Sequence, residues 1–131
     1  MYKRQGVEGV VAIPHLGAST PESEDNCAVM AADELIDYLE NGNITNSVNL
    51  PSVSAPRDGS IRVCVIHRNV PNTISQLCGA LANVGVNIEN MQSKSKKDFA
   101  YSLLDVTGKV TQDAVDALEA LEQVIRVRVI D

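Results

Sequence analysis

Apolar positions recur along the chain with two different periods, and the places where the period changes divide it into three zones. Val10 to Ile13 (VVAI) is a short apolar run ending at Pro14 and His15, the pattern of a buried strand that delivers a loop, here HLGAST. Thr20 can cap a helix whose first residue is Pro21, with Glu22, Glu24 and Asp25 placing negative charge at its positive end. Ala28, Ala31, Leu35 and Leu39 follow at helical spacing, and Gly42 supplies the stop, so a helix is expected over 21–41. Asn43 to Leu50 is weakly strand-like. Pro51 to Gly59 (PSVSAPRDG) has prolines, serines and a glycine without periodicity, as a linker does.

From Ser60 onward, strand and helix patterns alternate. Ile61, Val63 and Val65 alternate with Arg62 and Cys64, a strand; Ile74, Leu77, Cys78, Leu81 and Val84 then line one side of a helix. Residues 86–95 and 99–106 flank Lys96, Lys97 and Asp98 as two arms of a hairpin. Thr111 caps a second helix with Ala114, Leu118 and Leu121 inward, and Ile125, Val127 and Val129 alternate with Arg126 and Arg128 in a last strand. The order β-α-β-β-α-β is the split βαβ of ferredoxin-like domains, an α+β class that packs two helices on one face of an antiparallel sheet. Nothing in the pattern covers the other face. A unit of that size buries only about 60% of its unfolded surface, and its edge strands invite pairing with a second copy, so a homodimer formed through the sheet edges is expected.

Charge narrows the function. Lys and Arg number 11 against 17 Asp and Glu, a formal net charge of −6, which argues against nucleic acid as a partner. Seven of the acids lie between Glu22 and Glu40, most simply a solvated helix face. With 44% hydrophobic residues the chain can bury a core, and with one Phe, three Tyr and no Trp that core must be aliphatic. No apolar run approaches the roughly 20 residues of a bilayer span and no signal peptide opens the chain, so a cytoplasmic protein without a membrane is expected. Cys27, Cys64 and Cys78 are odd in number and lack CxxC spacing, which fits neither a disulfide framework nor a metal site.

Three places could carry chemistry. His15 follows a buried strand and precedes a Gly-Ala-Ser-Thr loop that feeds a helix N-terminus, where an imidazole can act as acid or base or simply shape a turn. His67 and Asn69, in HRNVPN, end the first strand of the last zone, and Pro71 suits the first turn of the next helix. The free amides there, with His67 and Asn69, could hold a small carboxylate; capping by Asn69 or Asn72 needs no ligand. Asn87, in GVNIEN, follows Gly85 at the start of an edge strand, where it could reach a ligand held by a facing subunit or serve as a turn residue. Lys94, Lys96 and Lys97 form the one basic cluster and read as protection of the hairpin edge.

Residues 14 to 51, PHLGASTPESEDNCAVMAADELIDYLENGNITNSVNLP, closely resemble the C-terminal part of the catalytic region of D-3-phosphoglycerate dehydrogenases, within the D-isomer-specific 2-hydroxyacid dehydrogenases. The His, the Gly-Ala-Ser-Thr loop, the Asn26-Cys27-Ala28 helix and the Asn-Leu-Pro exit occur together and in order. Residues 61 to 131 resemble the ACT domain that short forms of that enzyme carry directly afterwards, with IHRNVPN, GVNI and AYSLLDV in the family's positions. The resemblance implies an enzyme that oxidises 3-phosphoglycerate to 3-phosphohydroxypyruvate with NAD and opens serine biosynthesis. It implies His15 as the catalytic His that takes the substrate hydroxyl proton, His15, Leu16, Gly17 and Ala18 as the loop touching the cofactor, and His67, Asn69 and Asn87 as contacts of an amino-acid effector, L-serine, bound between two ACT domains. Asn72 departs from the glycine common after that proline, and a side chain there narrows the loop.

The chain has no Gly-x-Gly-x-x-Gly phosphate loop, and the family's Glu and Arg partners of the catalytic His have no counterpart in it. The expectation is therefore three parts. Residues 1–51 are a strand, loop and long-helix remnant of a Rossmann-type α/β dehydrogenase domain, 52–59 a linker that transmits an effector-driven population shift, and 60–131 a ferredoxin-like ACT regulatory domain. The parent enzyme turns over substrate and this chain alone does not. A helix without its sheet exposes Ala28, Ala31, Leu35 and Leu39. A stand-alone ACT protein that senses amino acids or dimerises, without catalysis, is the other reading, and an assembly domain that binds nothing a third.

Overall fold

In the computed structural model, residues 7–11, 17 and 19–131 are described. Ala12 to Leu16 and Ala18, which carry most of the expected VVAI strand and the His15 loop, lie outside them. Val10 and Val11 are exposed and outside any strand; the Val10 amide closes a turn on the Val7 carbonyl at 3.1 Å. The chain divides into two compact units, Met1–Asp33 and Glu34–Asp131.

Helix α1 runs Pro21–Asn41, the expected span. Thr20 caps it: its hydroxyl accepts the Ser23 amide at 3.3 Å and its carbonyl the Glu24 amide at 2.9 Å, with Glu22 and Glu24 in the first turn. Gly42 ends it at φ +72°, a left-handed conformation that costs glycine nothing. No residue of α1 is buried, and Ala28, Ala31, Leu35 and Leu39 are exposed.

The second unit has the order β1 (Ile61–Arg68), α2 (Thr73–Asn83), β2 (Asn87–Lys96), β3 (Phe99–Thr107), α3 (Gln112–Glu119) and β4 (Val124–Ile130). The strands form one antiparallel sheet in the order β2-β3-β1-β4, with β1 paired to β3 from Ile61↔Val106 to Arg68↔Phe99, so the ferredoxin-like expectation holds element by element. Alternation along the strands produces two buried faces. Val63, Val65, Leu104, Val106 and Val127 point to one side and meet Leu77 and Leu81 of α2 and Ala114 and Leu118 of α3.

The expectation that the other face lies uncovered is overturned. Cys64, Tyr101, Leu103 and Ile130 pack there against Ile44, Val53 and Ala55, with Tyr38 and Leu50 alongside. The 52–59 stretch, expected as a linker, contributes Val53 and Ala55 to this core, and Val53 exchanges both backbone hydrogen bonds with Ile44 at 2.8 and 3.0 Å.

Polar groups fasten this cover. Arg62, expected to alternate outward, is fully buried: Nε and Nη2 donate to the two carboxylate oxygens of Asp105 at 2.6 and 3.0 Å, Nη1 to the Asn41 and Ala55 carbonyls and Nη2 to that of Pro56. Tyr101 donates its hydroxyl to the Gly42 carbonyl at 2.6 Å, Arg57 reaches the Glu40 carbonyl at 3.1 Å, and Arg128 donates to those of Tyr38 and Leu39 with its guanidinium over the Tyr38 ring. A helix C-terminus leaves four carbonyls unpaired and carries partial negative charge. Here α1 has no basic residue in its last turn, and three arginines from later in the sequence fill that role, with Tyr101 on the carbonyl of Gly42 just beyond the helix. The bidentate Asp105 contact holds the Arg62 guanidinium above its ordinary pKa, while burial pushes the Cys64 thiol and Tyr101 phenol up.

Candidate functional site

The HRNVPN loop joins β1 to α2. Pro71 has no amide to continue the ladder, but the Asn69 amide still bonds the Asp98 carbonyl at 2.9 Å and its side-chain nitrogen the Lys97 carbonyl at 3.0 Å, which ties the loop to the β2–β3 turn. Asn72 adopts φ +69°, ψ −4°, a left-handed conformation. This accounts for the departure noted in the sequence: the position needs positive φ, which glycine adopts freely and asparagine tolerates better than most side chains. Thr73 closes the turn by donating its hydroxyl to the Val70 carbonyl at 2.9 Å.

Asn72 sits at the N-cap without a side-chain cap, so the alternative reading of this residue as a capping side chain fails. The first intrahelical bond is from the Gln76 amide to the Asn72 carbonyl, which leaves the amides of Thr73, Ile74 and Ser75 at the positive end of α2 for an anion.

His67 is 2% exposed. Nδ1 lies 2.9 Å from the Arg68 carbonyl and donates to it, Nε2 lies 2.9 Å from the Ser102 hydroxyl, and Ser102 donates to the Ser93 hydroxyl at 2.8 Å. Neither serine carries a signal in the sequence; they meet because register puts Val65 opposite Ser102 and Ser102 opposite Ser93. Asn69 is exposed, its side-chain amide nitrogen engaged and its side-chain oxygen without a partner among the described residues.

Asn87 is also exposed and donates to Glu89 at 2.7 Å. It pairs with Thr107, whereas His67 pairs with Ala100, seven residues back along β3. At about 3.3 Å per residue the two lie about 23 Å apart along the strand direction, at opposite ends of the sheet. One chain therefore joins His67 to Asn69 and leaves Asn87 alone on the edge strand β2.

Of the expected catalytic and cofactor loop, Gly17 is exposed, and His15, Leu16 and Ala18 fall outside the described residues. The described residues do not fit a dinucleotide: their one sheet is antiparallel and carries no glycine-rich βα turn. No cluster of three or more metal-ligating side chains occurs among them, and no helix is long and apolar enough to cross a membrane.

Residues 60–123 match the family model described as the ACT domain. D-3-phosphoglycerate dehydrogenase of Escherichia coli (strain K12) is 33% identical over 125 residues, 94% of this chain and 30% of that protein. D-3-phosphoglycerate dehydrogenase 1 of Saccharomyces cerevisiae is 33% identical over 119 residues, covering 87% of this chain and 25% of the relative. The chain thus spans about 30% or less of the length of these curated relatives. Among solved structures, the ACT domain from GTP pyrophosphokinase of Chlorobium tepidum aligns over 53% of this chain and 95% of its own at 16% identity, with a TM-score of 0.47.

Proposed function

We propose, from the premise that this chain carries an ACT domain and is related to D-3-phosphoglycerate dehydrogenases, that it is the regulatory part of such an enzyme and binds a small amino-acid effector between two copies of itself. L-serine is the expected effector. The observation that carries this reading is the register: His67 and Asn69 stand at one end of the sheet and Asn87 at the other, on an edge strand. An antiparallel pair of edge strands β2 places Asn87 of one copy toward the HRNVPN loop of its partner. The effector carboxylate then meets the free amides of α2, while the carbonyl oxygens of Asn69 and Asn87 accept from its ammonium group. His67 shapes the loop from beneath through Arg68 and Ser102.

The parent enzyme, on this reading, is a cytoplasmic, NAD-linked oxidoreductase acting on 3-phosphoglycerate, with His15 as its acid–base residue and the His15–Ala18 loop against the cofactor. This chain by itself turns over no substrate, since its described residues build no dinucleotide site. Calorimetric titration of the dimeric chain with L-serine should give saturable heat, abolished in Asn69→Ala and in Asn87→Ala. Mixing the two variants restores one intact site per mixed dimer, hence one ligand per mixed dimer, half the stoichiometry of the wild-type dimer. Absence of heat from an intact dimer would leave an assembly domain without an effector.

A further inference from the structure

A cleft of about 370 Å³ opens on the face of the sheet opposite the helices. Its walls are Val48 and Leu50 from the covering segment, Ile66 of β1, Phe99 of β3 and Ile125 of β4, and its rim carries Lys96, Lys97 and Asp98. The volume suits a small organic molecule. Chain segments far apart in sequence converge on it, and three local features single it out.

First, Lys97 has φ +57° in the two-residue turn between β2 and β3, a place where hairpins favour glycine or asparagine. A lysine stands there in a left-handed conformation that disfavours a side chain. Second, the pairing of β1 with β4 slips between Ile66 and His67, leaving Ile125 as an extra residue whose side chain is 51% exposed at the cleft. Bulges commonly re-aim side chains beside functional sites. Third, Lys96 donates to the Ser47 carbonyl at 3.0 Å and so holds the covering segment against the hairpin, while the Lys97 ammonium has no hydrogen-bond partner among the described residues. Two lysines against one aspartate give the rim a net charge of +1 in a chain of −6.

We infer that this cleft binds a small organic monocarboxylate with an apolar body, its carboxylate held by Lys97 and its body by Ile66, Phe99 and Ile125. The net +1 rim matches a monoanion, and Asp98 repels a dianion. Asn69 bonds the backbone carbonyls of both Lys97 and Asp98. The cleft and the HRNVPN loop therefore share one turn, and a ligand here should change effector affinity at the other site, if that site exists as proposed. Binding in the cleft itself does not depend on that reading.

The test is a titration of the full 131-residue chain, following backbone amides by NMR, with phenylacetate as probe. Phenylacetamide removes the charge, and inorganic phosphate removes the apolar body. Phenylacetate should give saturable shifts confined to residues 48–50, 66, 96–99 and 125, with phenylacetamide and phosphate each at least tenfold weaker. Lys97→Gly should stay folded, since it relieves a left-handed lysine, yet lose at least tenfold in phenylacetate affinity. Equal binding of phosphate would mean a surface lysine cluster and overturn the inference. So would equal binding of phenylacetamide, unchanged affinity in Lys97→Gly, or the absence of saturable shifts. Failure here with serine heat intact leaves the effector reading standing, and the converse result leaves the cleft.

Discussion

The two faces of one sheet are buried by different physics. On the helix side, Val63, Val65, Leu104 and Val106 meet Leu77, Leu81 and Leu118, aliphatic groups whose attraction is non-directional and follows from area removed from water. On the far side the cover is the last turn of α1 and an irregular segment, and it is held by directional contacts: Arg62 on Asp105 and three carbonyls, Arg128 and Arg57 on the helix end, Tyr101 on Gly42. A coil segment cannot hide its own backbone polar groups as a helix does, so partners must be supplied from the sheet. The comparison teaches that an aliphatic face tolerates a shaved side chain by degrees, whereas the polar face depends on one buried ion being complete.

The largest expected effect comes from breaking that ion pair. Arg62→Ala leaves the Asp105 carboxylate buried with only a long, 3.5 Å contact to Asn90 and strips the Asn41, Ala55 and Pro56 carbonyls of a donor. A loss of about 3–5 kcal/mol in urea unfolding is expected. Replacing both partners, in Arg62→Met with Asp105→Leu, should restore most of it, because no uncompensated charge then remains. If the double variant is as unstable as the single, the carbonyl contacts and not the ion pair dominate the second face.

Next in size, Leu77→Ala on the helix face removes a fully buried side chain and should cost about 2–4 kcal/mol. Unlike Arg62→Ala, it should leave amide exchange at the end of α1 and in 42–56 close to wild type, relative to global stability. Slowed or accelerated exchange confined to 42–56 in Leu77→Ala would mean that the two faces are not separable. The smallest effect belongs to Tyr101→Phe, which deletes the hydroxyl that donates to Gly42 and keeps the ring. About 1–2 kcal/mol is expected, with faster exchange of amides in the last turn of α1.

The helix face was legible from sequence because period alone reports it: Ile74, Leu77 and Leu81 repeat at helical spacing, and Val63 and Val65 alternate, each without reference to any other segment. The second face left no such trace. Arg62 and Arg128 alternate with apolar residues just as solvent-facing arginines would, and Val53 and Ala55 sit among prolines and serines. The candidate site divides similarly. HRNVPN stood out as a strand-to-helix junction, and the left-handed position of Asn72 fits its place after proline, but the burial of His67 against Ser102 and Ser93 required the register of three strands.

What the sequence by itself determined is what rests on near neighbours: the span of α1 with its Thr20 cap and Gly42 stop, the βαββαβ order, the hairpin, and the loop before α2. Periodicity, capping and turn chemistry act within a few residues, so they are written locally. What only the tertiary structure decided is which charges face inward. Arg62 becomes buried because residues 41–56 fold back over it and β3 sets Asp105 opposite, pairings that span up to 43 positions. Whether a charged side chain is solvated or enclosed depends on the partner that desolvates it, and that partner is chosen by the fold.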